Sequence, residues 1–176
     1  MILGLDISTS MTGATVLSES GEVILCDVWD LRKDKSFFQK VENAQAHLKT
    51  LKASHGIRQI FIEQSLQSFR SGFSSAQTLS TLARFNGTLS WLCYELFGVE
   101  PEFVGATTAR KLCGIKVPRG QKAKEVVLQK ILDTEPSFEI EYTKFGNPKP
   151  GSYDRADSLV IARAGYELCK ERSSSS

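Results

Sequence analysis

The chain is poor in the residues that most metal and nucleophile chemistry requires. It has two histidines and four cysteines. Cys26, Cys93, Cys113 and Cys169 form no C-x-x-C pair and accompany no histidine cluster, so neither a zinc pattern nor a disulfide framework is expected. Each thiol reads instead as a small buried hydrophobe in a reducing compartment. His47 falls on a helix surface and His55, beside Gly56, at a helix end, so catalysis resting on imidazole is not expected either. No apolar run approaches 18 residues and no signal peptide is evident, which predicts no membrane span and no secretion. The expected location is the cytoplasm or an organelle matrix. Acidic residues are absent from Gln64 to Tyr94, a stretch that carries Arg70, Arg84 and seven serines.

What is present fits one globular domain. The 176 residues suffice for a full core, and 41% apolar with 24% charged residues is an ordinary soluble balance. The domain is placed at 1–172, with the serine run 173–176 as a disordered tail. Net charge is only +2, but Ala106 to Leu132 holds seven basic residues against Glu125 alone, a plausible polyanion footprint.

Period-2 patterns predict three antiparallel strands within 2–31, and Ser36 to Ser54 has helical spacing at Phe37, Phe38, Val41, Ala44, Leu48 and Leu51. Ile57 to Glu63 reads as a buried parallel strand and Gln64 to Ser75 as an exposed loop. A helix near 75–97 follows, in which Gly87 would allow close packing on the sheet. A short strand at 102–105 leads to a helix capped by Thr107 or Thr108, a second helix at 121–132, an irregular stretch at 133–152 and a closing helix at 153–171. This order predicts an α/β domain with a mixed five-stranded sheet, an antiparallel meander joined to parallel strands and flanked by helices.

The chemistry-bearing residues are acids. The run Ile2-Leu3-Gly4-Leu5 ends on Asp6, and Ile60-Phe61-Ile62 ends on Glu63. Asp154 and Asp157 open the last helix three residues apart, on one face. Singly, Asp6 reads as a turn cap and the helix pair as acids favoured by the macrodipole. Together, four carboxylates repel one another unless a cation joins them. An all-oxygen set suits Mg²⁺ or Mn²⁺, and two such ions roughly 4 Å apart can hold a scissile phosphate between them.

These residues resemble the RuvC family of Holliday-junction resolvases. Ile2-Leu3-Gly4-Leu5-Asp6 with Thr12-Gly13, Ile62-Glu63-Gln64, and Asp154-Arg155-Ala156-Asp157-Ser158-Leu159 with Ile161-Ala162 follow its order. Thr107-Thr108-Ala109-Arg110-Lys111 and Gly120-Gln121-Lys122-Ala123-Lys124 resemble its strand-to-helix segments, and the likeness covers residues 2 to about 170. The resemblance implies a ribonuclease-H-like fold, a homodimer, and Mg²⁺-dependent paired nicking of four-way or branched DNA. It also implies that Asp6, Glu63, Asp154 and Asp157 ligate two ions, for which Mn²⁺ can substitute. Leu66, Phe69 or Phe73 would wedge into the junction. Arg70, Arg110, Lys111, Arg119, Lys122 and Lys124 would contact DNA. Ser8-Thr9-Ser10-Met11 and the long Asp133 to Ser152 stretch depart from the bacterial pattern, as expected of a divergent phage or organellar member.

Two other readings stand beside it. The strand, Gly-x-Asp and hydroxyl-rich turn also resemble the phosphate-binding hairpin of sugar-kinase and actin-type ATP-binding folds. Those have two such domains and about twice this length, and the Asp154/Asp157 pair has no place in them; the expectation is therefore of no nucleotide cofactor. Within the same fold, a nuclease acting on RNA or RNA–DNA hybrids is the alternative.

Overall fold

A computed structural model describes residues 1–64 and 76–174 of the chain. Its elements are β1 (Ile2–Asp6), β2 (Met11–Leu17), β3 (Val23–Asp30), α1 (Phe37–Ser54), β4 (Gln59–Glu63), α2 (Ala76–Phe97), β5 (Glu102–Val104), α3 (Ala106–Leu112), α4 (Ala123–Thr134) and α5 (Ser152–Ser174). The sheet order is β3-β2-β1-β4-β5, antiparallel on the β3-β2-β1 side and parallel from β1 through β4 to β5. No helix among the described residues is long and apolar enough to cross a membrane.

Strand alternation sorts the core into two layers. Leu3, Leu5, Ile60 and Ile62 pack with α1 and α2 on one face. Ile2 and Phe61 pack on the other with α3, α4 and α5. Because side chains alternate with period 2, Asp6 and Glu63 project on the α5 side, in phase with Ile2 and Phe61. That parity brings both strand-end acids to one face.

Helix α5 lies unusually close to the sheet. A Cβ on Gly4 would overlap Ala162, one on Gly165 would enter the Phe61 ring, and one on Gly13 would overlap the Asp154 carbonyl. The helix therefore starts over β2 and crosses β1 toward β4. Ser158 hydroxyl meets Thr15 hydroxyl at 2.9 Å beneath it, in a fully buried contact.

Several expectations need correction. Gly87 faces open space, so it does not serve close packing of α2 on the sheet. Phe38 is 73% exposed, because the inward stripe of α1 runs through Phe37, Val41, Ala44, Leu48 and Leu51, and position 38 lies about 100° away from Phe37. Neither Thr107 nor Thr108 caps α3, whose N-cap is Gly105; Thr107 instead accepts a bond from Arg110 at 3.2 Å. A register shift opposite Val16 and Leu17 sends Val23 and Leu25 to opposite core layers and leaves Ile24 exposed. Helix α5 continues through Ser174, two residues into the serine run, with the Ser173 and Ser174 hydroxyls donating to the Cys169 and Lys170 carbonyls. The four cysteines are free thiols.

Candidate active site

The site is built at the carboxyl end of the central parallel pair. Leu5 pairs with Ile62 in parallel register, so the next residues outward are Asp6 and Glu63 on adjacent strands about 4.8 Å apart. Across β1, Asp6 pairs with Gly13. The bare Gly13 backbone receives the first turn of α5 and so delivers Asp154 beside that register. Asp157 follows one turn later on the same helical face.

Two supports hold the strand ends. The Asn86 side-chain amide, buried in α2, donates to the Glu63 carbonyl at 3.3 Å, and the Gln64 N–H donates to the Val104 carbonyl at 3.0 Å. In the turn after β1, the Ser8 hydroxyl donates to the Met11 carbonyl at 2.6 Å, and the Thr12 hydroxyl donates to the Ser8 carbonyl at 3.1 Å. Lys40 of α1 donates to the Thr9 carbonyl at 2.7 Å and also reaches the Leu31 carbonyl. Lys40 falls off the apolar stripe of α1 at 37, 41, 44, 48 and 51. Nothing in the helical period distinguishes a solvated lysine from one that clamps a loop of another element.

Electrostatics show that the four acids form one group. Burial raises the Asp6 carboxyl well above its ordinary value, reinforced by Glu63, Asp157 and Asp154. Burial, then Asp157, pushes Glu63 up to about 7. Asp157 rises to about 6, through burial and then Asp154, and Asp154 is raised by burial. Lys124 works against every one of these shifts and lies 3.8 Å from the Asp157 carboxylate. Burial disfavours the Lys124 ammonium, yet Asp157, Asp6, Asp154 and Glu63 together hold its pKa above the usual lysine value. The Arg110 charge also lowers Glu63 and Asp157. All four acids are half-buried, leaving access from solvent.

The donor set fits hard divalent cations. It is all carboxylate oxygen, it carries more negative charge than Lys124 and Arg110 offset, and repulsion within it is what a bound cation relieves. Among the described residues no three acidic, histidine or cysteine side chains stand in a preformed metal cage. Mg²⁺ sites commonly lack one, because the ion keeps waters and takes further ligands from substrate phosphate.

The other expected contacts are more scattered. Lys111 and Arg119 are exposed, as is Lys122, which precedes α4 and pairs with Glu125 at 3.0 Å. Lys124 turns toward the acids. Leu66, Phe69, Arg70 and Phe73 lie outside the described residues. His47 stacks on Trp29 with ring centroids 5.1 Å apart, and His55 is the C-cap of α1. Asn86 was visible in sequence only as an amide within an apolar helix face.

The sequence matches no protein-family model and no curated protein. Among solved structures, the chain is similar to Thermus thermophilus RuvC in complex with a Holliday junction substrate, with a TM-score of 0.68 at 15% identity over 97% of this chain and 94% of that one. It is also similar to another Thermus thermophilus RuvC structure, with a TM-score of 0.62 at 18% identity over 97% and 96% of the two chains. The yeast mitochondrial Holliday junction resolvase Ydc2 gives a TM-score of 0.57 at 16% identity over 98% of this chain and 80% of that one. The chain has the ribonuclease-H-like fold of these proteins, along nearly its whole length.

Proposed function

We propose that this protein is a divalent-metal-dependent endonuclease that nicks four-way or branched DNA, working in recombination or repair in the cytoplasm or an organelle matrix. The observation that carries this reading is the convergence of Asp6, Glu63, Asp154 and Asp157 on one side of one sheet, at the carboxyl end of the β1–β4 pair. The likeness in fold to a RuvC that holds a junction supports DNA as the substrate. The hydroxyl-rich turn after β1 counts against the nucleotide-binding alternative, since Ser8 and Thr12 bond backbone groups of their own turn.

Asp6, Glu63, Asp154 and Asp157 would hold two Mg²⁺ ions, with Mn²⁺ able to substitute. Bound there, the ions supply an activated water on one side of the scissile phosphate and stabilisation of the leaving oxygen on the other. Asp6, whose carboxyl is acted on by Glu63, Asp157 and Asp154, would be one of the ligands. Lys124, 3.8 Å from the Asp157 carboxylate, and Arg110, whose charge lowers Glu63 and Asp157, would offset the acids' charge toward an incoming phosphate. Lys111, Arg119 and Lys122, exposed on α3 and in the segment leading to α4, would contact DNA, and Arg70 joins this set. Leu66, Phe69 and Phe73 remain the proposed wedge.

Paired nicking calls for two sites, hence a homodimer. The face of α1 and α2 remote from the acids supports one, because Phe38 and Trp91 are 73% and 59% exposed there, around Ala83, Gly87 and Thr88.

The test is a nicking assay with Mg²⁺ on a four-way junction beside duplex, flap and RNA–DNA hybrid. The junction is cut in preference, and Asp6→Asn lowers the rate more than about a hundredfold while junction binding persists. Hybrid cleavage in preference would favour the RNA-directed alternative. ATP turnover without nicking would overturn both.

A further inference from the structure

The segment expected to be irregular contains a built projection. Tyr142 and Pro148 form an antiparallel bridge, Thr143 N–H donates to the Asn147 carbonyl at 2.8 Å, and Gly146 N–H donates to the Thr143 carbonyl at 2.9 Å. Gly146 takes φ +78°, a left-handed turn conformation that glycine adopts without strain. Lys149 N–H donates to the Glu141 carbonyl at 2.8 Å, and the Lys149 ammonium pairs with the Glu141 carboxylate. The base is fastened to the body. Arg155 donates to the Glu139 carbonyl at 2.9 Å and to the Cys26 carbonyl at 3.0 Å, and it lies 4.8 Å from the centroid of buried Phe138.

At the tip of this anchored hairpin, Phe145 is 79% exposed, and Tyr142, in the bridge to Pro148, is 55% exposed. The Lys144 ammonium lies 4.9 Å from the Phe145 ring centroid. No ion pair to Lys144 occurs among the described residues, whereas Lys149 at the stem is paired. An exposed aromatic ring with an unpaired cation against it is a combination that takes a nucleobase on the ring and a phosphate on the cation.

Position selects the partner. The returning strand of the hairpin runs into α5, only a few residues before Asp154. Arg155 ties the base to Cys26 of β3, and Val28 of β3 lies beside Glu141 and Lys149, so the hairpin is seated against β3, whereas α3 and α4 pack against α5. The apolar α1–α2 surface is on the opposite face of the sheet, so the tip is not continuous with it.

We propose that residues 141–149 form a DNA-contact finger in which Phe145 stacks on an unpaired or splayed base at the branch point, with Lys144 on an adjacent phosphate. This rests on the nuclease reading above and names the feature of its substrate that the finger recognises: exposed bases at the branch rather than continuous duplex.

The experiment uses the full chain in the Asp6→Asn background, which is expected to hold DNA without cutting it. Its probes are a four-way junction carrying 2-aminopurine beside the branch and a matched continuous duplex. Phe145→Ala is expected to lower the junction-to-duplex affinity ratio about tenfold and to remove the 2-aminopurine fluorescence change; Phe145→Trp restores both. Thermal melting of Phe145→Ala matches its parent, because the ring buries little area in the fold. Phe145→Ala binding the junction as tightly as a binding-competent parent, with the fluorescence change intact, overturns the finger alone. A shift in sedimentation with DNA binding unchanged also overturns it, assigning the tip to contact between copies. A parent that binds no junction overturns the nuclease reading and the finger with it.

Discussion

Glu63 illustrates what a single site residue contributes. In the folded chain it keeps its proton up to about pH 7, mainly through burial and then through Asp157, against an ordinary value of 4.5. Its stabilising contribution is complete below pH 4.5 and is lost as pH rises through 7, because above that the fold must hold a buried carboxylate near others. Metal-free protein should therefore melt at a lower temperature at pH 8 than at pH 6. Glu63→Gln should remove about 1 kcal/mol of that difference, because only the last unit of the Glu63 shift lies above pH 6, and Asp6, also raised by burial, keeps the remainder. Melting in chelator at the two pH values measures it, and an equally steep loss in the variant would assign the effect elsewhere. Mg²⁺ should raise the melting temperature of the parent at pH 8 more than that of Glu63→Gln, since an ion that binds only the folded state stabilises it. At this scale the acids were legible from sequence, because each ends a recognisable strand or opens a helix. Lys40 and Lys124 were not. Their roles depend on partners from distant parts of the chain, namely the turn after β1 and the four-acid group.

Among the elements, α5 decides whether the acids meet. Its approach depends on glycines and alanines whose absent side chains let the helix backbone rest on the sheet. Gly13→Ala should push the first turn of α5 off β2, costing about 1–3 kcal/mol of stability and displacing Asp154 from Asp6. Chemical denaturation and the nicking rate should fall together. Gly87→Ala is the contrasting case. It introduces Cβ into open space within α2 and should stabilise by about 0.5–1 kcal/mol, read by the same denaturation experiment. The elements themselves follow from periodicity: a stripe at 37, 41, 44, 48 and 51 marks α1, and consecutive Ile60-Phe61-Ile62 marks a strand buried on both faces. The shift at Val16 and Leu17 was invisible, because an extra residue in a strand changes its pairing without changing its composition.

For the molecule as a whole, the two faces of the sheet divide the work. The α5 face carries the acids, the basic helices and the aromatic hairpin, while the α1–α2 face leaves Phe38 and Trp91 exposed, the proposed contact with a second copy. Trp91→Glu should weaken self-association at least tenfold, seen by light scattering across a concentration series. It should lower coordinated cutting of two strands more than the first nick. A monomeric parent at working concentrations with junction present would remove the dimer from the proposal.

By itself, the sequence determined the α/β class, the strand-end acids, the helix-borne acid pair and the basic excess between them. Each of these is local: a run, a period or a spacing carries it. Only the tertiary structure decided that alternation turns Asp6 and Glu63 to the same face, that Gly13 brings Asp154 against their register, and that Lys124 belongs to the acids. It also decided that residues 141–149 stand up as a hairpin with Phe145 at its tip. These depend on register, close approach and charge proximity between segments up to about 150 residues apart, and a one-dimensional pattern does not encode such distances.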